Sequence, residues 1–278
     1  MKELFDNISS RTSKMATHAY STSFSMGIRF FNKKYHAPIY AIYGFVRFAD
    51  EIVDTFGGYK QKKLLKKFEK DTWTAIEEGI SLNPILNSFQ HVVNKYGIDH
   101  ELISQFLKSM EMDLYYSNYN REMFEEYILG SAEVVGLMCL QVFVQGDKEK
   151  YDQLKPYAMK LGAAFQKINF LRDLKADHRN LGRSYFPNVD LSNFTLKDKR
   201  RIEQEIADDF KEGLTGIRLL PAGARFGVYI AYVYFFQLFK KIRETHPKRL
   251  MTERIRVPNT EKYSLLLSSY VRHRMNLL

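Results

Sequence analysis

Residues 166–177 read Gln-Lys-Ile-Asn-Phe-Leu-Arg-Asp-Leu-Lys-Ala-Asp. Asn169, Asp173 and Asp177 recur every fourth residue, with Gln166 one turn before them, so on a helix they form a single polar stripe. Ile168, Phe170, Leu171 and Leu174 fill the rest of the segment with the residues of a core helix. A polar stripe on an otherwise buried helix is costly unless something occupies it. Residues 43–54 repeat the pattern: Asp50 and Asp54 are four apart, Arg47 precedes them by a turn, Glu51 lies beside them, and Phe45, Phe48, Ile52 and Val53 are apolar. Two such stripes facing each other would make a strongly negative cleft. Hard cations such as Mg2+ use one or two carboxylates together with substrate phosphates, so the pairing points to a diphosphate substrate.

At 278 residues, 45% hydrophobic and 14% aromatic, the chain can bury a large core, which argues against disorder. Cys139 is its single cysteine, in an apolar context, and reads as a core thiol of a reducing compartment. The N-terminus is polar, unlike a signal peptide, and the uncharged run 227–239 is too short to span a bilayer. The expectation is a cytoplasmic protein, with peripheral attachment to the inner face of a membrane left open. The net charge of +10 favours anionic partners. It is spread over 60–67, 197–201 and 240–256 without the glycine-aromatic pattern of a nucleic-acid motif, so nucleic acid is not expected as a partner. The 60–67 run reads first as a solvated helix face, and 240–256 is the basic stretch that would face an acidic membrane.

Helical periodicity recurs along the whole chain, and no stretch alternates with period two for long enough to suggest a sheet. Helices are expected from Pro38 to the Gly57-Gly58 pair, over 60–80, from Pro84 to Tyr96, and over 101–119, 124–144, 155–177, 196–212 and 221–243, with one more after Pro258. Residues 178–196 read as a loop. The hydroxyls of Ser21, Thr22 and Ser23 can cap a helix or donate to phosphate oxygens. Gly130, Ser131, Ala132 and Gly136 let a ligand or a neighbouring helix come close. With no repeat or linker, 1–278 reads as one all-α domain.

Five motifs stand in order: Ser21-Thr-Ser-Phe24, Arg47-Phe-Ala-Asp-Glu-Ile-Val-Asp54, Glu133-Val-Val-Gly136, the 166–177 segment, and Gly182-Arg-Ser-Tyr-Phe-Pro187. Together they resemble the squalene and phytoene synthase family, whose members join two prenyl diphosphates head to head. The resemblance implies a single-domain isoprenoid-synthase helical fold enclosing a central apolar cavity. It implies Mg2+, with Mn2+ as a substitute, held by Asp50, Asp54, Asn169, Asp173 and Asp177. It places diphosphate oxygens against Ser21, Ser23, Arg47, Gln166, Asn169, Arg172 and Arg183, with Tyr185 near the cleft, and lines the cavity with Phe24, Phe30, Phe45, Val134, Val135 and Met138. In such enzymes the acids, Arg47 and Tyr185 would be catalytic.

The same resemblance favours a phytoene synthase acting on two geranylgeranyl diphosphates in carotenoid synthesis. The chain shows no glycine-rich dinucleotide fingerprint and stops without a C-terminal anchor, so no NADPH is expected. The alternatives are a dehydrosqualene or squalene synthase using farnesyl diphosphate, a terpene cyclase, and a non-catalytic helical homologue acting in assembly. Leu129 stands where relatives often carry tyrosine, and Glu133 where they often carry glycine. Both departures bear on the shape of the cavity.

Overall fold

In this computed structural model the described residues are 1–180 and 184–275, excluding the side chains at 23, 176–180 and 274. The described chain is helical and forms no strand. An isolated parallel bridge pairs Asn118 with Ser184. The helices are α1 (Lys2–Tyr20), α2 (Thr22–Ile28), α3 (Lys33–Asp54), α4 (Gln61–Glu78), α5 (Pro84–Tyr96), α6 (His100–Met112), α7 (Arg121–Ile128), α8 (Val134–Val144), α9 (Lys148–Asn180), α10 (Leu196–Leu219), α11 (Ala222–Glu244), α12 (Pro247–Leu250) and α13 (Asn259–Arg274).

Local chemistry sets several of these ends. Asn83 caps α5 by accepting from the Ile85 N–H at 3.0 Å, and Pro84 needs no such partner at the first helical position. Gly97, at φ 62°, closes the helix in the left-handed region that glycine adopts without strain. Thr195 and Asp198 cap α10 reciprocally.

Five expectations are corrected. Asn32, accepting from Lys34, starts α3 well before Pro38, which lies inside the helix. The lost Pro38 hydrogen bond falls near the exposed N-terminal turn, where water can satisfy the carbonyl it leaves. The helix expected over 101–119 ends at Met112. Helix α9 begins at Lys148 and runs on to Asn180, into the expected loop, and α10 extends to Leu219. The segment expected as one α-helix over 124–144 contains a π-turn, Leu129–Glu133, between α7 and α8.

That π-turn packs backbone to backbone. A Cβ on Gly130 would lie 2.4 Å from the Gln105 carbonyl oxygen, and one on Gly162 2.7 Å from that of Ala132. Close helix approach, rather than a ligand, therefore accounts for Gly130. Gly130→Ala should destabilise the fold by about 1–3 kcal/mol through overpacking, read as a lower urea midpoint at unchanged m-value.

The stretch Arg121–Val144 is long and apolar enough to cross a membrane, but 56% of its apolar window is buried within the protein. Its α8 portion forms core between α3, α6 and α9. The apolar interior falls into two clusters. One gathers α3, α4, α5, α6 and α8 around Phe45, Phe89 and Phe106, and the other gathers α7, α9, α10 and α11 around Phe170, Phe210 and Phe239.

Candidate active site

Helix α3 carries Arg47, Asp50 and Asp54 on its last two turns. Arg47 donates one guanidinium nitrogen to Asp50 and another to Glu51, and its guanidinium lies 4.4 Å from the Tyr20 ring centroid. Its Nε is buried without a hydrogen-bond partner. An unsatisfied guanidinium donor beside two carboxylates suits an oxygen-rich anion that arrives with its own cations. One turn back, burial raises the Tyr43 pKa, opposed by the Arg47 charge and a hydrogen bond with Ser21. Ser21 Oγ caps α2, accepting from the Phe24 N–H at 3.2 Å. Capping uses the oxygen as acceptor, and the hydroxyl keeps its capacity to donate.

Asp173 lies in the last turns of α9. It accepts from Arg172 Nε at 3.1 Å and from a terminal nitrogen at 2.5 Å. It also pairs with Arg254 Nε at 2.7 Å. Arg254 follows α12 and was not singled out within the basic run 240–256. Nothing local marks it, because its partner is 81 residues away. Asn169 Nδ2 donates to Gln166 Oε1 at 3.3 Å, which keeps these two amides on one face. Asp177 and Arg183 lie outside the described residues, as does the side chain of Ser23.

Both acidic stripes occupy the C-terminal turns of their helices. Asp54 is the last residue of α3, where the negative macrodipole disfavours a carboxylate by about 0.3–1 kcal/mol; Asp50 and Asp173 stand a turn or more further in, where that effect has largely decayed. A sequence shaped for stability alone would place cations at these ends. Asp50, Asp54, Asp173 and Asn169 are hard oxygen donors of the kind that hold Mg2+ or Mn2+, so their chemistry fits a divalent ion. Among the described residues no three or more His, Cys, Asp or Glu side chains gather as a ready metal site.

Tyr185 is placed differently from expectation. It is buried, stacked on Phe170 at 4.1 Å, and donates to Asp113 at 2.9 Å. Asp113 is itself buried and also accepts from Tyr127 at 2.6 Å and Tyr119 at 3.2 Å. Burial and the Asp113 charge hold the Tyr127 phenol well above its usual pKa, so it remains a donor. The Ser184 N–H donates to the Ser117 carbonyl at 2.6 Å, and the Tyr119 N–H to the Ser184 carbonyl at 3.3 Å. This knot fastens the loop after α6 to the end of the Gly182–Pro187 motif. Asp113 stands just past the end of α6, and nothing in its sequence neighbourhood marks it.

The cavity lining also needs correction. Phe45, Val134 and Met138 are 0% exposed, and Phe45 stacks on Phe89 at 3.9 Å. They are filled core rather than lining. Half-buried residues instead form stripes on helices that are otherwise buried: Tyr43, Val46 and Arg47 on α3, Val135, Gly136 and Cys139 on α8, and Phe165, Gln166 and Asn169 on α9. Phe24 and Phe30 are likewise half-buried. Cys139 keeps accessible surface while burial pushes its thiol up to about 12. Phe24, Val46, Val135 and Cys139 pack against one core cluster, and Phe30 and Phe165 against the other, each keeping some accessible surface. On α3 and α9 these stripes continue into Asp50 and Asp173.

Glu133, on the π-turn, neighbours a polar network of α9 and α10 in which Lys167 meets Asp209 at 2.7 Å and Lys160 meets it at 3.2 Å. Burial is the largest influence on Glu133, raising its pKa to about 7, with Lys160 and Lys167 opposing. A carboxyl raised in the folded state stabilises the fold below its unfolded value of 4.5, and that contribution is lost as pH rises through 7. Glu133→Gln should therefore raise stability by up to about 3 kcal/mol at pH 8 and give no gain at pH 5. Urea titrations at the two pH values check it.

The family model described as squalene/phytoene synthase matches residues 17–261. A 4,4'-diapophytoene synthase of Staphylococcus haemolyticus is 27% identical over 200 residues, covering 68% of this chain and 66% of that protein. Phytoene synthase 1, chloroplastic, of Solanum lycopersicum is 25% identical over 274 residues, covering 91% of this chain and 65% of that protein. The chain thus spans just under two thirds of the length of these relatives. In backbone, a dehydrosqualene synthase structure superposes with a TM-score of 0.84 at 19% identity over 97% of this chain and 98% of that one. A squalene synthase from Alicyclobacillus acidocaldarius gives 0.73 at 20% identity over 85% and 93%. These likenesses in backbone establish the all-α terpenoid-synthase fold. The match over residues 17–261 goes further: the chain belongs to the squalene/phytoene synthase family of head-to-head prenyltransferases.

Proposed function

We propose that this protein condenses two prenyl diphosphates head to head, taking two geranylgeranyl diphosphates to phytoene through a cyclopropylcarbinyl diphosphate, with loss of two diphosphates and two protons. The observation that carries the reading is that a half-buried row on each of two helices, Tyr43, Val46 and Arg47 on α3 and Phe165, Gln166 and Asn169 on α9, runs on into the carboxylates Asp50 and Asp173. Asp50, Asp54, Asn169 and Asp173 would hold the divalent ions, whose chemistry is to neutralise charge developing on the leaving diphosphate. The unpartnered Nε of Arg47 and the guanidinium of Arg172 donate to diphosphate oxygens and orient the allylic carbon–oxygen bond towards the cavity. Phe24, Val135 and Phe165 exclude water from the carbocation left behind, which would otherwise be captured as an alcohol. The double bond of the second chain then attacks the cation, and a proton is lost as the cyclopropane closes; departure of the second diphosphate, rearrangement and loss of a second proton end the sequence without a reductant.

Incubation with Mg2+ and farnesyl or geranylgeranyl diphosphate, with and without NADPH, tests this by mass analysis of the extracted hydrocarbon. A C40 product from geranylgeranyl diphosphate alone is expected. A C30 product would assign the farnesyl-using branch, and an NADPH requirement would assign squalene synthesis. No hydrocarbon under any condition would overturn the enzymatic reading.

A further inference from the structure

A recess of about 560 Å3 opens on the protein surface where the start of α4 meets the loop after α6. Lys60, Lys62, Lys63 and Lys66 line it with Leu114 and Tyr115, and no acidic side chain is among its lining residues. The four lysines are exposed, and Lys62 Nζ stands 4.8 Å from the Tyr115 ring centroid. Large apolar and aromatic side chains surround them unburied: Tyr59 is 74% exposed, Tyr115 51% and Tyr116 47%. Phe56 reaches Tyr59 with ring centroids 6.1 Å apart.

The patch adjoins the acidic end of α3 on one side and the Asp113 knot on the other. Gln61, part of the recess, donates to the Ile52 and Val53 carbonyls at 2.9 Å, immediately before Asp54. On the other side Tyr116 meets Tyr119, which belongs to the Asp113 knot beside Ser184. By contrast, the basic stretch 240–256 has several charges already engaged. Lys241 pairs with Glu261, Arg249 with Glu253 and Arg254 with Asp173. The run 60–67, read first as a solvated face, is the one whose cations converge.

We propose that this lysine-tyrosine patch docks the protein on the surface of an anionic bilayer, with the lysines on lipid phosphates and Phe56, Tyr59, Tyr115 and Tyr116 in the headgroup region. Charge complementarity selects the partner: clustered lysines gain from a negative surface within a Debye length, and exposed tyrosines are at home where apolar and wet surroundings meet. The orientation sets the prenyl-transfer mouth at the membrane, where amphiphilic substrates and a hydrocarbon product reside. In that use the proposal rests on the function proposed above, but its test does not require turnover.

Vesicles of phosphatidylcholine, with and without phosphatidylglycerol, are sedimented with the full chain at about 0.05 M and about 0.5 M salt. Binding is expected only with the anionic lipid and mostly at low salt. Lys60→Gln/Lys63→Gln/Lys66→Gln should weaken it on the order of a hundredfold, while Lys248→Gln/Arg249→Gln leaves it unchanged. Tyr59→Ser/Tyr115→Ser should remove whatever binding survives high salt. Equal loss in both charge variants, binding to neutral vesicles, or none at all would overturn the assignment. So would displacement from vesicles by millimolar inorganic diphosphate, which would make the recess a site for free anions. Turnover in detergent, measured in parallel, separates a failed docking surface from a failed catalytic reading.

Discussion

Asp173→Asn is expected to remove turnover, lowering kcat by at least about a hundredfold, as loss of one electrostatic contributor to charge development commonly does. Its fold should survive. The carboxylate is only partly buried, so freeing Arg172 and Arg254 leaves both guanidinium groups within reach of water. The measurement pairs steady-state hydrocarbon formation with a thermal melt. Wild-type turnover in a folded variant would withdraw Asp173 from the site.

The second large effect should come from Asp113, through the opposite balance. Asp113→Ala removes the common acceptor of Tyr119, Tyr127 and Tyr185 and leaves buried hydroxyls facing one another. An unsatisfied buried donor costs about 1–3 kcal/mol, so a loss on the order of 4 kcal/mol is expected, enough to unfold much of a marginal domain. Asp113→Asn, whose amide oxygen can still accept, should recover part of it. Tyr185→Phe deletes a single donor and should cost about 1 kcal/mol. If the alanine variant lost less than the phenylalanine variant in urea titration, the knot would not be a cooperative unit.

The helices were legible where chain chemistry and burial agreed. Helix α5 shows its apolar period between an Asn-Pro start and a glycine stop, and its observed bounds are the expected ones. Helix α1 was not foreseen because its fully buried residues are Ser9, Ser13 and Thr17, so hydroxyls rather than aliphatic side chains mark its inward face. The acidic stripes were visible because spacing alone places them on one face. Which apolar neighbours fill the core and which border the cavity was not: Phe45 and Phe24 look alike in sequence, and only the meeting of several helices buries one and half-exposes the other. Asp113 and Arg254 stayed hidden for a related reason, since their partners come from distant parts of the chain.

The π-turn Leu129–Glu133 acts as a phase shifter between two halves of one rod. A π-turn carries an extra residue relative to an α-helix, and each residue advances an α-helix by about 100° and about 1.5 Å. Upstream, Tyr127 is aimed at Asp113; downstream, Gly136 faces the Ala158 carbonyl of α9, and Val135 and Cys139 pack against the core while keeping some accessible surface. With one residue removed and α-geometry restored, the downstream half would turn by about a quarter revolution. Helix α8 would then present a different row of side chains to α3, α6 and α9, with every residue of both halves unchanged in identity. The row that α8 turns towards its neighbours is therefore set partly by an angle stored in the backbone, which side-chain substitution along α8 leaves in place.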